Sequence, residues 1–86
     1  RIVVLDVRTN EEFAEGHLPR AVNIDVQDSI NFVQQIKSLR KSKTYVVYCR
    51  SGKRSVKASE LLINNQFKHI YNMEGGILAW KGELLK

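Results

Sequence analysis

The chain has 86 residues, of which 43% are hydrophobic, a formal net charge of +5 and a single cysteine. This is one domain with apolar content enough for a core, and a lone cysteine excludes an internal disulfide framework, so packing alone must hold the fold. No stretch approaches the roughly 20 apolar residues of a membrane span and no signal peptide is visible, while an unpaired thiol suits a reducing, cytoplasmic compartment.

In chain order, Ile2-Val3-Val4-Leu5 is a continuous apolar run of the kind found in strands covered on both faces, with Arg1 at its head. Thr9 and Glu12 carry a capping-box pattern that starts a short helix through Phe13 and Ala14, which Gly16 can end. Pro19 punctuates the turn before a short second strand, Ala21-Val22-Asn23-Ile24. Asp28 or Ser29 can cap a longer helix, with Ile30, Val33, Ile36 and Leu39 at helical spacing. A third strand covers Tyr45 to Tyr48. The helix beginning near Arg54 or Ser55 turns Val56, Ala58, Leu61 and Leu62 inward and ends at Asn64-Asn65. A fourth strand, His69 to Met73, leads into the Gly75-Gly76 turn and a final helix from Ile77 to about Leu84.

Strands that alternate with helices and are themselves nearly all apolar predict an α/β fold: a three-layer sandwich with a central parallel sheet flanked by helices. In open sheets of this kind ligands bind at the carboxyl ends of the strands. Cys49 lies at such an end. It closes the run Tyr45-Val46-Val47-Tyr48 and opens the basic turn Arg50-Ser51-Gly52-Lys53-Arg54-Ser55. A thiol there faces the free N–H groups of a helix start, the positive end of the helix dipole and three cationic side chains, all of which favour thiolate. Most lone cysteines at strand positions are small buried hydrophobes with no chemical role. Such a residue gains nothing from Arg50, Lys53 and Arg54 crowded beside it, nor from Gly52 letting the backbone curl into an anion-binding nest. The pattern points to a nucleophile.

The positive net charge has a second reading in Lys37, Arg40, Lys41 and Lys43, a basic stretch that would suit nucleic acid. Cations also favour a helix C-terminus, and there is no zinc-ligand spacing, RNA-binding aromatic signature or helix-turn-helix pattern. The expected partners are small anions, with neither nucleic acid nor membrane, and no metal or cofactor is implied, since His17 and His69 lack ligand partners at suitable spacing.

Three segments together resemble the rhodanese-like domain family of sulfurtransferases. They are Leu5-Asp6-Val7-Arg8 with Glu12-Phe13, Gly16-His17-Leu18-Pro19 and Ala21-Val22-Asn23-Ile24; then Val47 through Ser55; then Gly75-Gly76-Ile77-Leu78-Ala79-Trp80. The resemblance implies a single rhodanese-like domain over residues 1–86 that lacks the family's usual first strand and helix. Arg20 stands where the family often has glycine, so that turn is less tight or Arg20 faces solvent. By the same resemblance Cys49 is the catalytic residue. It would take a sulfane sulfur from thiosulfate, polysulfide or a persulfide and pass it to cyanide or a thiol, which a partner protein can carry. Arg50, Ser51, Gly52, Lys53, Arg54 and Ser55 would bind the substrate, their backbone cradling the sulfur and their cations orienting the donor.

Asp6 and Arg8 read as a structural pair at the carboxyl edge, His17 as a structural histidine, Glu74 as a residue of the pocket or of the surface, Trp80 as core packing for the last helix, and Tyr48 as packing in its strand. Two other functions fit the same residues. A noncatalytic rhodanese-fold module could carry sulfur or regulate a partner. A cysteine phosphatase needs arginine at the sixth position after the cysteine to grip phosphate; here that position is Ser55 and the arginine falls at the fifth, Arg54.

Overall fold

In a computed structural model that describes residues 2–86, Ile2–Asp6 (β1) and Thr44–Tyr48 (β3) lie side by side at the centre of one sheet. Arg1, expected at the head of the first strand, lies outside the described residues. Val22–Asn23 (β2) pairs with the outer edge of β1, and His69–Asn72 (β4) with that of β3, giving the order β2-β1-β3-β4 with every pairing parallel. The helices are Asn10–Glu15 (α1), Ser29–Ile36 (α2), Lys53–Asn64 (α3) and Gly76–Ala79 (α4). The chain steps one way across the sheet from β1 to β2 and the other way thereafter. Right-handed crossovers therefore put α1 on one face and α2 with α3 on the other. This is the expected three-layer sandwich.

The strand period of two then sorts the central side chains. Leu5, Val7, Tyr45, Val47 and Cys49 enter the main core, where Phe32 and Ile36 of α2, Ala58 and Leu62 of α3, and Phe67 complete it. The alternate residues Asp6, Arg8 and Tyr48 face the α1 side; all three are buried. One face of the sheet is apolar and the other holds a polar network.

The expected helical stripes are partly out of phase. Ile30 is 80% exposed, and the inward residues of α2 are Phe32 and Ile36. They are one helical turn apart and both enter the core; Ile30, two positions from Phe32, falls on the far side. In α3 the buried residues are Ser55, Ala58, Ser59 and Leu62, and Val56 is exposed. Small residues on that face let the helix lie close to β3 and β4. The final helix stops at Ala79 because Trp80 turns extended (φ −73, ψ 130). The chain then runs back to His17, where His17 and Leu85 exchange backbone hydrogen bonds of 2.9 and 2.8 Å. Trp80 is consequently no core residue. It is 38% exposed, and its indole lies against Gly82 and donates to the Glu83 carbonyl at 3.1 Å. Arg20 is exposed with φ 65, a left-handed conformation that accounts for a glycine being favoured in that turn.

Candidate functional site

Cys49 is the first residue beyond β3, and Gly52, at φ 108, turns the chain into α3 three residues later. The curl between them brings the Gly52 N–H to donate to Cys49 Sγ at 3.1 Å. Ser55, in the first turn of α3, places Oγ 3.5 Å from the sulfur while its hydroxyl also lies 3.1 Å from the Gly52 carbonyl. With a thiol, S–H donates to Ser55 Oγ and the hydroxyl donates to Gly52; with a thiolate, the hydroxyl can turn its hydrogen to sulfur. Burial pushes the Cys49 thiol up. The Ser55 hydroxyl and the N–H groups of Ser55, Gly52 and Ser51 outweigh that effect, and the thiol sits below its ordinary range. The sulfur is thus packed on its core side and lined with donors on its loop side; Cys49 as a whole is only 1% exposed.

The outward carbonyls of this loop are held from behind. Ile77 N–H donates to the Cys49 carbonyl at 2.9 Å and Leu78 N–H to the Arg50 carbonyl at 3.2 Å. Fixing these carbonyls toward α4 leaves the loop's N–H groups to face the sulfur. The contact requires glycine at position 76: φ is 57, and a Cβ there would stand 2.4 Å from the Cys49 carbonyl oxygen and 2.5 Å from that of Arg50. The Gly75-Gly76 segment is a buttress for the cysteine loop, a role its sequence did not disclose.

The three cations differ in their freedom. Arg50 and Lys53 are exposed, and neither forms an ion pair among the described residues. Arg54 is not the free donor-orienting cation that was expected. Its Nη1 and Nη2 hold Glu12 Oε1 and Oε2 at 2.7 and 2.9 Å, a bidentate fork from the first turn of α3 to the first turn of α1. Glu12 also closes the capping box, accepting from the Thr9 N–H at 3.0 Å and the Thr9 hydroxyl at 3.1 Å. The Arg54 fork, followed by the Thr9 contacts, holds the Glu12 carboxyl down to about 2. Sequence reading found the cap but missed the bond to Arg54, because nothing in the local pattern says which helix faces α1.

Beside the loop lies the network of the other sheet face. Arg8 binds Asp6 through Nε and Nη2, the latter at 2.8 Å, and Nη2 also donates to the Gly16 carbonyl at 2.7 Å. Tyr48 donates to Asp6 Oδ2 at 2.5 Å and accepts from the Leu18 N–H at 3.1 Å. Asp6, Arg8 and Tyr48 thereby tie β1 and β3 to the Gly16–Leu18 turn, and Tyr48 does more than pack. His17 stacks on Phe13 with ring centroids 3.7 Å apart and shares a 2.9 Å contact between Nδ1 and the Phe13 carbonyl. Glu74 is exposed at the turn into α4. No three His, Cys, Asp or Glu residues among the described residues are grouped so as to hold a metal ion. The basic stretch Lys37–Lys43 precedes β3, at the opposite end of the strand from Cys49, and Lys41 there is engaged with the Asn65 carbonyl and the Phe67 ring. No described helix is long and apolar enough to cross a membrane.

The family model for the rhodanese-like domain matches residues 1–83. A Bacillus subtilis protein named "Putative sulfurtransferase YtwF" is 43% identical over 82 residues, which cover 95% of this chain and 76% of that one. The tRNA uridine(34) hydroxylase of Buchnera aphidicola is 36% identical over 86 residues, covering 93% of this chain but only 26% of the hydroxylase. A rhodanese-like domain protein from Staphylococcus aureus superposes with a TM-score of 0.82 at 37% identity, covering 96% of this chain and 78% of that one. The chain belongs to the rhodanese-like domain family.

Proposed function

We propose that this rhodanese-like domain is a sulfurtransferase working through a Cys49 persulfide. The observation that carries the reading is the Gly52 N–H donating at 3.1 Å to a sulfur whose thiol lies below its ordinary range. A thiolate is the attacking form in sulfur exchange. Cys49 Sγ attacks the outer sulfur of the donor and forms a new S–S bond. The donor's own bond to that sulfur breaks, and its electron pair leaves with sulfite from thiosulfate or with a thiolate from a persulfide. The product on Cys49 is a persulfide anion, or its protonated form. Cyanide or an acceptor thiolate next attacks the outer sulfur, and the Cys49 thiolate leaves with the electron pair of the bond that formed first.

The residues divide the work. N–H groups of Ser51, Gly52 and Ser55 supply fixed donors to the negative sulfur, as an oxyanion hole does for oxygen. Because Cys49 is buried, donors reach it only through the loop, whose exposed Arg50, Ser51 and Lys53 would meet an anion first. Arg54 takes part through its partner Glu12 and not as a free substrate clamp. That commitment also argues against a phosphatase, which needs its arginine fork for the phosphate oxygens. The acceptor is cyanide in the test tube and a thiol in the cell, small or borne by a protein in a reducing cytoplasm.

The test is thiocyanate release from thiosulfate and cyanide. The intact protein is expected to release it and Cys49→Ser to release none; turnover that survives in Cys49→Ser would sink the proposal. The second reading, a sulfur-carrying or regulatory module, has one observation in its favour: a similar segment forms 26% of a protein named as a tRNA hydroxylase. A mass gain of one sulfur on Cys49 after polysulfide treatment, without thiocyanate release, would favour it.

A further inference from the structure

We propose that Glu12 sets the charge of the cysteine site: by holding Arg54 in a bidentate fork it cancels one of the loop's three cations, and so favours monoanionic persulfide donors over dianionic thiosulfate. Arg54 immediately precedes Ser55, whose hydroxyl touches the sulfur, and its charge interacts directly with that of Cys49. Both guanidinium–carboxylate contacts are short, 2.7 and 2.9 Å, and both side chains are about a quarter exposed. The carboxylate is fixed from the other side by the Thr9 N–H and hydroxyl, so it cannot swing away with Arg54 toward an incoming anion. Asp25 adds a further negative charge near Arg54. Among the described residues, Arg50 and Lys53 remain as the loop cations without an ion pair.

The consequence follows from the charges in the first step. Thiolate attacking thiosulfate gathers three negative charges; thiolate attacking a protonated persulfide gathers one, and attacking a persulfide anion two. Every cation withheld from the loop raises the first barrier most. Glu12 is thus a positioning residue: it acts on the reaction through Arg54 and meets no substrate itself.

This substrate consequence rests on the sulfur-transfer reading, whereas the charge statement does not, and the two are tested separately. Alkylation of Cys49 by neutral iodoacetamide and by anionic iodoacetate, at pH 7 and low salt, gives a rate ratio that reports the local potential whether or not the protein transfers sulfur. Glu12→Gln is expected to raise the iodoacetate-to-iodoacetamide ratio by about three- to tenfold, and Arg54→Gln to lower it comparably. The double variant, Glu12→Gln with Arg54→Gln, should return it to within about twofold of the parent, since it restores the charge sum. Glu12→Asp keeps the charge and should keep the ratio even if it weakens the fold. In the transfer assay Glu12→Gln should lower KM for thiosulfate with little change for 2-hydroxyethyl persulfide, a donor whose only ionisable group is the persulfide itself. A ratio unmoved by Glu12→Gln, or a double variant that stays at the Glu12→Gln value, overturns the charge statement. A ratio that moves while the two donors keep their relative KM overturns the selectivity. Absence of all sulfur transfer with a moving ratio overturns only the proposed function.

Discussion

Two buried acidic groups lie at the same carboxyl edge of the sheet, and the protein handles them in opposite ways. Asp6, with no exposure, is neutralised by Arg8 at 2.8 Å and by the Tyr48 hydroxyl, which fills its remaining acceptor capacity. Cys49, one residue beyond Tyr48, the partner of Asp6 on the neighbouring strand, and on the opposite face of the sheet, has backbone N–H groups and a serine hydroxyl in place of a counterion. A formal ion pair locks the charge of Asp6: the carboxylate is committed to Arg8, which with Tyr48 holds the Gly16–Leu18 turn in place. Peptide dipoles stabilise charge wherever it sits in the cradle, and so tolerate its displacement onto a second sulfur. Asp6 serves stability, and on the proposed sulfur-transfer reading Cys49 serves reactivity.

The largest effect should come from breaking the ion pair. Asp6→Asn leaves Arg8 charged and buried, and is expected to cost about 3–5 kcal/mol in urea unfolding, with the alkylation pKa of Cys49 nearly unchanged in the folded protein. A large change in that pKa would erase the division between the two sites. Next is Gly76→Ala. Its Cβ would meet two carbonyl oxygens of the cysteine loop at 2.4 and 2.5 Å from a left-handed backbone, so a cost of about 2–4 kcal/mol is expected. Unlike Asp6→Asn it should also raise the Cys49 pKa, because displaced carbonyls no longer hold the amides toward sulfur.

Ser55→Ala sharpens the contrast from the other side. Loss of one hydroxyl should cost about 1 kcal/mol of stability yet raise the thiol pKa, because the Ser55 hydroxyl no longer stabilises the thiolate; this is read as slower iodoacetamide reaction at pH 7. The smallest effect expected is Thr9→Ala, about 1 kcal/mol or less for the loss of the α1 cap, with Arg54 left on Glu12. The pH dependence follows from the lowered thiol. Below its folded pKa both folded and unfolded chains carry S–H, and Cys49 adds nothing to stability. Its contribution grows as pH rises through the folded pKa and is complete above the unfolded value of about 8.5. Alkylation and sulfur transfer should rise through that same lower pKa and level off before pH ~8.5 is reached.

The pattern of the chain carried the element order, the parallel sheet and the cysteine at a strand end, since apolar runs, caps and glycines act over a few residues. Thr9, Glu12 and Gly16 capped α1 as their local pattern required. Ile30 and Val56 went astray because several phases of an amphipathic helix are nearly equal in sequence, and only the sheet chooses between them. The final helix was overextended because the pairing of Leu85 with His17 joins residues at opposite ends of the chain.

What the sequence by itself determined is the class of fold and the place of the thiol, for both follow from short-range periodicity and from the geometry of a strand running into a helix. Only the tertiary structure decided which charges act there. Glu12 meets Arg54, and Gly76 braces Cys49, across separations that no local pattern encodes. Coulomb energy and steric contact depend on distance in space, and packing alone sets that distance.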